Sequence, residues 1–266
     1  MLSIITVTYN NLEGIKKTYN SIANQTMQTF EWIVIDGAST DGTTEFLQTV
    51  SRQPDIYVHE PDSGIYNAMN KGIKIAKGDY LLFMNAGDIF VDCNILQETP
   101  IQSFKADIIY GDAWFDYPDR TLAQQYSDKV TMGSLYKNSF CHQSTFIRRT
   151  LLVKDGYDET YKLLADWKSY VAWFLEGKSF QHLPLFICRF DVSGASTNRE
   201  LCDAEHHRIF TELLPPYLHE LLRDWNSYQN KPCILTRNYC AQNRVYKRII
   251  RSTLHLLTWI NKVIHC

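Results

Sequence analysis

The chain has 266 residues, of which 45% are hydrophobic and 21% are charged, and its net charge is −2. These values are ordinary for a globular protein and exclude a mainly disordered chain, and the absence of an apolar run of about 18 residues predicts no membrane-spanning helix. Seven cysteines without CxxC spacing, together with an N-terminus that lacks signal-peptide features, favour a reducing cytoplasm over a disulfide framework or a zinc site.

The first 90 residues alternate strand and helix patterns. Short apolar runs predict strands at residues 2–8, 30–35, 55–59 and 80–84. Apolar residues at helical spacing predict helices after Asn10 or Asn11, after Asp41, and from Ile65 to Ala76, with Gly78 at the C-terminal stop of the third helix. Repeated strand–helix units of this kind predict an α/β fold with a mostly parallel sheet flanked by helices.

The second half of the chain is less regular. Strands are predicted at 107–112, 120–126, 140–147 and 180–190, and helices at 166–176 and 198–214. We therefore expect one domain over residues 1–214, with a nucleotide-binding half at 1–90 and an acceptor-binding half at 91–214. Residues 215–266 are expected to form a helical, basic C-terminal extension.

Polar segments follow three of the predicted strands, at the sheet edge where parallel sheets bind ligands. They are Thr8-Tyr9-Asn10, Asp36-Gly37-Ala38-Ser39 and Asn85-Ala86-Gly87-Asp88. Asp36 is either a hydrogen-bond acceptor for a base or ribose, or a turn cap before the next helix. Asp88 either closes a turn or binds a hard cation such as Mg²⁺ or Mn²⁺, which needs few protein carboxylates when phosphates and water complete its shell.

Other polar residues also have two interpretations each. Asp62 or Ser63 either caps the next helix or lies at an anion-binding helix N-terminus, and Lys71 in that helix is either solvated or part of a binding site. Asp166 is either a helix N-cap or an acid directed at the open end of the sheet. His142 is either buried and hydrogen-bonded or in contact with a polar acceptor.

Common signatures of nucleotide chemistry are absent: the chain has no GxGxxG after the first strand, no P-loop and no GxSxG elbow. Three segments, in order and at family spacing, instead resemble the family-2 glycosyltransferases, which have the Rossmann-like GT-A fold. These segments are SIITVTYNNLEGIKKTYNSIANQT, FEWIVIDGASTDGT and EPDSGIYNAMNKGIKIAKGDYLLFMNAGD. The resemblance is strong over residues 1–88 and weak over about 100–197. Among subgroups it is greatest to the transferases of bacterial exopolysaccharide and O-antigen assembly, including the colanic-acid type.

The resemblance implies an inverting transfer of one sugar from a nucleoside diphosphate sugar, with UDP favoured over GDP. The residues expected to hold the nucleotide are Thr8, Tyr9, Asp36, Gly37, Asp62, Lys71, Asn85 and Ala86. Asp88 matches the metal aspartate, which would bind Mn²⁺ or Mg²⁺, and Asp166 matches the catalytic base. His142 and Trp167 are expected near the acceptor, a glycan or lipid-linked saccharide of a bacterial surface polysaccharide.

Two departures from the family pattern affect these expectations. The usual DxDD motif reads Asn85-Ala86-Gly87-Asp88, so that only its last acid is present. The QxxRW motif of processive members is absent, which favours the transfer of a single sugar over polymer synthesis. The missing acids leave a second hypothesis open, a catalytically degenerate nucleotide-sugar-binding or scaffolding protein. A sugar nucleotidyltransferase is disfavoured because residues 8–20 lack a Gly-rich basic loop.

Charge is distributed unevenly along the chain. Residues 225–266 contain seven Lys or Arg and no acid, whereas the remaining 20 basic residues face 29 acids, so that residues 1–224 carry 20 − 29 = −9. Apolar residues at helical spacing between Val245 and Ile264 predict an amphipathic helix. It would lie on an anionic membrane surface, peripheral on the inner face of the cytoplasmic membrane, or pack as an ordinary helix or dimer contact. No nucleic-acid partner is expected, because no reader fold accompanies the basic residues.

Overall fold

A computed structural model describes residues 1–192 and 198–229. They form an α/β fold around a nine-stranded sheet. The strands are β1 (Leu2–Thr8), β2 (Phe30–Asp36), β3 (Ile56–His59), β4 (Tyr80–Phe83), β5 (Ile89–Phe90), β6 (Ile108–Asp116), β7 (Thr121–Gln124), β8 (Thr145–Arg148) and β9 (Phe180–Asp191). The α-helices in these ranges are α1 (Leu12–Ala23), α2 (Thr43–Thr49), α3 (Ile65–Ile75), α4 (Ile95–Glu98), α5 (Met132–Lys137), α6 (Arg149–Val153), α7 (Ala165–Leu175), α8 (Arg199–Leu213) and α9 (Pro216–Gln229).

The sheet has a parallel half and a mixed half. Its strand order is β3-β2-β1-β4-β8-β6-β9-β5, and β7 pairs with β6. The strands β3, β2, β1 and β4 run parallel, while β8 is antiparallel to both β4 and β6. The register aligns Thr8 with Asp36 and Asp36 with His59. The carboxyl ends of the first strands therefore meet at one edge, as the alternating sequence pattern predicts.

Helices cover both faces of the sheet. Successive side chains of a strand point to opposite faces, so Ile4 and Ile5 of β1 enter different cores. One core contains Ile15 of α1 and Leu47 of α2, and the other contains Ile73 of α3 together with residues of α7 and α8. Both faces of β1 and β2 are buried, which explains why their sequences are apolar almost throughout.

Local details confirm some sequence predictions and correct others. The Asn11 side chain accepts a hydrogen bond from the Gly14 N–H and caps α1, as predicted. The predicted strand over 140–147 is shorter, because residues 142–144 form a 3₁₀ turn that the Cys141 carbonyl closes. Helix α3 ends at Ile75, and Gly78 lies beyond it, where a Cβ would be 2.5 Å from the Ser3 nitrogen. Gly78 thus permits close packing on β1 and is not the helix stop.

The charged tail extends past the described part of the chain. Helix α9 opens the predicted C-terminal extension, but the amphipathic segment predicted between Val245 and Ile264 lies outside the described residues. Within the described residues, no helix combines the length and the apolarity that a membrane crossing requires.

Candidate active site

Asp36 ends β2 with its carboxylate fully buried. Its Oδ1 accepts hydrogen bonds from the N–H and hydroxyl of Ser39, and its Oδ2 lies 2.7 Å from His59 Nδ1 and accepts a bond from the Tyr57 hydroxyl. Burial acts to raise the pKa of Asp36, but these hydrogen bonds outweigh it and lower the pKa. The carboxylate is committed to shaping the 37–39 turn. The imidazole of His59, which is 40% exposed, is the solvent-facing member of this group.

Tyr9, Gly37 and Asp62 come together beside this turn. A Cβ at Gly37 would collide with the Asp62 carboxylate and would lie 3.2 Å from the Tyr9 ring. The Tyr9 ring is 65% exposed and presents an aromatic face at the sheet edge. The Asp62 carboxylate accepts a bond from the Gly64 N–H in the turn before α3, and the N-cap of that helix is Gly64, so the prediction of Asp62 or Ser63 as the N-cap is wrong. The predicted nucleoside residues therefore share one surface.

The backbone at this edge is strained at two points. Asn10 and Ala38 are the non-glycine residues with positive φ in the described ranges, at 46° and 65°. Asn10 follows β1 and Ala38 follows β2, so both lie in the strand-end turns. Such strain persists where the surrounding structure imposes it, and it concentrates at functional sites.

Residues 85–88, called here the 85–88 loop, lie next to the end of β1. The Ala86 N–H donates to the Val7 carbonyl, and the Asn11 side chain donates to the Ala86 carbonyl. Two side-chain oxygens buried at this edge, Thr8 Oγ1 and Asn85 Oδ1, have no hydrogen-bond partner among the described residues. Buried polar atoms of native proteins nearly always have a partner, so these two oxygens mark a place for water or a ligand.

Asp88 ends this loop with its side chain turned inward and only 4% exposed. Its Oδ2 accepts a hydrogen bond from Gln143 Nε2 at 2.7 Å, and its Oδ1 accepts one from the Asp191 N–H at 3.1 Å. Burial raises the pKa of Asp88 to about 7, although both hydrogen bonds act to lower it. The carboxylate thus ties the loop to the segment before β8 and to the end of β9.

Lys71 of α3 has an ammonium group that is already occupied. Its Nζ is 2.8 Å from the Glu60 carboxylate and 2.6 Å from the Pro61 carbonyl. It therefore secures the 60–61 segment that precedes Asp62. Lys71 is therefore not a solvated lysine, and its ammonium group is not a free basic group.

Asp166 lies in the first turn of α7, and the N-cap position belongs to Leu164. The N-cap interpretation of Asp166 is therefore wrong. Its Oδ1 accepts a hydrogen bond from the Tyr66 hydroxyl at 2.7 Å. Its Oδ2 has no hydrogen-bond partner among the described residues, and so one oxygen of this carboxylate is available to receive a proton.

The two residues predicted near the acceptor, His142 and Trp167, use ring nitrogens in hydrogen bonds within the protein. His142 is buried, with Nε2 2.9 Å from the Tyr157 hydroxyl and its ring 4.6 Å from that of Phe83. Burial lowers the pKa of His142, although the negative charge of Asp166 acts in the opposite direction. The Trp167 indole N–H donates to the Leu135 carbonyl at 2.7 Å. The buried interpretation of His142 thus describes the structure, and Trp167 presents no free donor.

A charged cavity of about 490 Å³ opens beside Gly87. Besides Gly87 it is lined by Lys17, Asp116, Arg189 and Asp191. Arg189 binds both carboxylate oxygens of Asp116, at 2.9 and 2.8 Å. The sequence contained no local signal for this cavity, since its walls come from α1, the 85–88 loop, the β6–β7 hairpin and β9.

Comparison with known proteins identifies the family. The sequence model described as Glycosyl transferase family 2 matches residues 3–96. A PGL/p-HBAD biosynthesis glycosyltransferase of Mycobacterium bovis (strain BCG / Pasteur 1173P2) is 32% identical over 175 residues, which are 63% of this chain and 67% of the relative. This chain belongs to glycosyltransferase family 2. The predicted resemblance is thereby confirmed, and the protein is a glycosyltransferase.

Solved structures confirm the GT-A fold of this glycosyltransferase. Staphylococcus aureus TarS 1–349 in complex with UDP-GlcNAc has a TM-score of 0.62 and 18% identity, covering 83% of this chain and 70% of that one. The mannosyltransferase PcManGT from Pyrobaculum calidifontis, in complex with GDP-Man and Mn²⁺, has a TM-score of 0.59 and 14% identity, covering 99% of this chain and 86% of that one. The predicted α/β GT-A fold is therefore confirmed.

The side chains of this glycosyltransferase do not fit a metal held by Asp88. The carboxylate is buried and hydrogen-bonded through both oxygens, Gly87 has no side chain, and the Asn85 oxygen is buried. Among residues 1–192 and 198–229, no three histidine, cysteine or acidic side chains group as a metal site. Mn²⁺ and Mg²⁺ prefer carboxylate, carbonyl and water oxygens. Both carboxylate oxygens of Asp88 are instead bound within the protein.

Proposed function

We propose that this glycosyltransferase transfers one sugar from a nucleoside diphosphate sugar to a hydroxyl of a glycan or lipid-linked saccharide, with inversion at the anomeric carbon. The observation that carries the proposal is the Asp166 carboxylate, which Tyr66 holds at one oxygen and whose other oxygen has no hydrogen-bond partner in residues 1–192 and 198–229. A general base needs a positioned acceptor atom of this kind. UDP is the favoured nucleotide, and bacterial surface polysaccharide synthesis is the favoured context.

The donor would bind at the carboxyl ends of β1, β2 and β4. Support comes from the exposed Tyr9 ring, which can stack on a base, and from the partnerless buried oxygens of Thr8 and Asn85. TarS is described with UDP-GlcNAc and PcManGT with GDP-Man, so structures of this fold accept nucleotide sugars of both kinds. Asp36, Gly37 and Asp62 shape the surface, and Lys71 fixes the segment before Asp62.

The proposed reaction is a single in-line displacement. Asp166 Oδ2 takes the proton of the acceptor hydroxyl while the acceptor oxygen attacks the anomeric carbon from the face opposite the leaving group. The bond from that carbon to the diphosphate breaks, and the nucleoside diphosphate leaves with the electron pair. An α-linked donor sugar would give a β linkage. A divalent cation, where one is bound, would offset charge on the leaving diphosphate. Since the Asp88 carboxylate faces inward, no step of the proposed reaction depends on a cation held by it.

The donor class is tested by thermal melting with UDP-sugars, GDP-sugars and the free nucleotides, each with and without Mn²⁺. A ligand at about 100 times its Kd should add about 2.7 kcal/mol to the free energy of unfolding. We expect a shift with UDP compounds that does not require Mn²⁺. A shift that appears only with Mn²⁺ would contradict the inward role of Asp88, and a folded protein that responds to no nucleotide would contradict the donor proposal.

The base is tested by Asp166→Asn, which keeps the size of the side chain and removes its basicity. We expect the rate of nucleotide release from the active donor to fall by about 10²- to 10⁴-fold, because general-base catalysis contributes about that factor. Donor affinity, measured by calorimetry, should stay within a few-fold of the wild type. Asp155→Asn, at an exposed position before α7, is the matched control. Turnover of Asp166→Asn at the wild-type rate would contradict the assignment of Asp166 as the general base.

The same measurements separate the enzyme from a catalytically degenerate binding protein. The missing acids at Asn85 and Gly87 are the observation that favours this second candidate. Such a protein would bind the nucleotide sugar but release no nucleoside diphosphate with any acceptor. Asp166→Asn would then differ from the wild type in neither binding nor turnover.

We also propose that the basic C-terminal segment holds the enzyme on an anionic membrane surface. The seven basic and no acidic residues in 225–266 support this role, because each Lys or Arg near an anionic bilayer contributes about 1 kcal/mol. A lipid-linked acceptor would then lie at the surface to which the enzyme binds.

A further inference from the structure

The Tyr66 hydroxyl lies between two acceptors. It is 2.7 Å from Asp166 Oδ1 and 2.7 Å from the Leu163 carbonyl oxygen. A phenol has one proton and can donate it to only one of them at a time. Both oxygens are at full hydrogen-bond distance, so each is a ready alternative for the same proton.

We propose that Tyr66 is a positioning residue whose hydroxyl changes acceptor as Asp166 changes charge. While Asp166 is ionised, the hydroxyl donates to the carboxylate, since a hydrogen bond to a charged acceptor is about twice as strong as a neutral one. Once Asp166 has taken the acceptor's proton on Oδ2, the neutral acid is the weaker acceptor, and the hydroxyl donates to the Leu163 carbonyl. The buried hydroxyl therefore has a partner in both states. This inference rests on the proposed role of Asp166 as the base.

The second acceptor is fixed in place by a carboxylate from another helix. Glu205 of α8 is buried and accepts hydrogen bonds from three consecutive backbone N–H groups, those of residues 162, 163 and 164. These bonds hold the peptide that carries the Leu163 carbonyl. The Tyr66 hydroxyl can thus turn between two rigid acceptors without movement of the backbone.

The surroundings keep the Tyr66 proton on its oxygen. Tyr66 of α3 is buried against the start of α7, and the centre of its ring is 5.5 Å from that of Tyr157. Burial raises the pKa of Tyr66 well above its ordinary value, and the negative charge of Asp166 adds to this effect. The hydroxyl therefore remains a donor throughout the pH range in which the enzyme can be assayed, and only its direction changes.

Tyr66→Phe removes the donor and retains the ring. The assay is the pH dependence of donor hydrolysis by water, measured as release of the nucleoside diphosphate from the donor found active. We expect the acid limb of the profile to move up by about one to two pH units, the equivalent of a hydrogen bond to a charged group. The plateau kcat should fall about tenfold or more, whereas KM for the donor should stay within about threefold.

Two matched comparisons keep this test independent of folding. Tyr170→Phe removes a hydroxyl from another fully buried tyrosine, in α7, that makes no hydrogen bond to Asp166, and its profile should match the wild type. Replacement of Tyr66 by 3-fluorotyrosine keeps the shape and strengthens the donor, so the acid limb should move to lower pH. If the acid limb of the pH profile stays at its wild-type position both in Tyr66→Phe and in the 3-fluorotyrosine variant, the proposal is overturned.

A double-mutant cycle separates failure of this inference from failure of the proposed function. If Tyr66 acts only through Asp166, Tyr66→Phe should cost nothing further in the Asp166→Asn background. Full additivity of the two losses would overturn the positioning role while leaving Asp166 as the base. Wild-type hydrolysis by Asp166→Asn alone would remove the base itself, and with it the proposed function.

Discussion

The Asp88 carboxylate is a charge that the fold has placed in its interior. The resemblance to family 2 predicts this residue as the metal aspartate, yet its two oxygens accept hydrogen bonds from Gln143 and from the Asp191 backbone. These partners lie 55 and 103 residues away along the chain. The residue thus joins three segments around the 85–88 loop, a role that a linear motif does not reveal.

This burial predicts a pH dependence of stability. The pKa of Asp88 in the folded protein is about 7, and its ordinary value is 3.8. Between these values the folded chain binds a proton that the unfolded chain has released, so the free energy of unfolding falls as pH rises from about 4 to about 7. The side chain in Asp88→Asn stays neutral, so this variant does not show that fall in the free energy of unfolding. We expect the melting temperature of Asp88→Asn relative to the wild type to increase from pH 5 to pH 8.

Asp92→Asn is the control for that comparison, since Asp92 follows β5 on the exposed surface. Its melting temperature should follow the wild type at each pH. If the Asp88→Asn and wild-type melting curves change in parallel between pH 5 and pH 8, the buried carboxylate does not titrate in this range, and the anchoring role loses its energetic support.

At the scale of elements, the start of α7 depends on α8. A helix N-terminus leaves backbone N–H groups without partners, and a carboxylate there also interacts favourably with the helix dipole. Glu205 places a carboxylate there and binds the N–H group of the N-cap residue Leu164 at 2.9 Å, together with those of Lys162 and Leu163 in the segment before the helix at 2.6 and 3.0 Å. The position of Asp166 in the first turn of α7 therefore rests on a contact between helices.

Removing this contact should destabilise the protein. A hydrogen bond to a charged group contributes about 1.5–3 kcal/mol, and bonds that share one carboxylate are not additive. We expect Glu205→Ala to lower the free energy of unfolding by about 3 kcal/mol or more in urea denaturation. Asp203→Ala, at an exposed position of the same helix beyond its first turn, should change it by less than about 0.5 kcal/mol. Equal effects of the two substitutions would show that the buried Glu205 carboxylate contributes little.

At the scale of the whole molecule, the acidic body and the basic segment have opposite charge. The described residues offer no membrane-crossing helix, and residues 225–266 contain seven basic groups without an acid. Attraction of such a segment to anionic lipid is electrostatic over a distance of about 8–10 Å at physiological salt. Binding should therefore depend on lipid charge and on ionic strength.

Vesicle flotation checks this prediction. The full chain should float with phosphatidylglycerol vesicles at low salt, should not float with phosphatidylcholine vesicles, and should be released by about 0.5 M salt. A variant ending at residue 229 should not bind, and a variant with Arg244, Lys247, Arg248 and Arg251 changed to Gln should bind weakly. Equal flotation of the full and shortened chains would place any lipid contact elsewhere.

The order of strands and helices could be predicted from the sequence because it depends on local patterns. The apolar runs of β1 and β2, the Asn11 cap of α1 and the Asn198 cap of α8 all have signals within a few residues. The strand predicted over 140–147 was less successful, because the hydroxyl and N–H bonds to the Cys141 carbonyl form a turn inside an apolar run.

The strand-end acids and the family could be recognised from the sequence, since each lies in a contiguous motif. The direction of their side chains and the identity of their partners were decided by tertiary structure. Tyr66 reaches Asp166 across 100 residues, and Gln143 reaches Asp88 across 55. Hydrogen bonds and burial depend on distances between elements, which a linear pattern does not contain. The sequence by itself therefore determined which residues could do the chemistry. Packing decided that, among the described residues, Asp166 has one oxygen without a hydrogen-bond partner while both oxygens of Asp88 are bound.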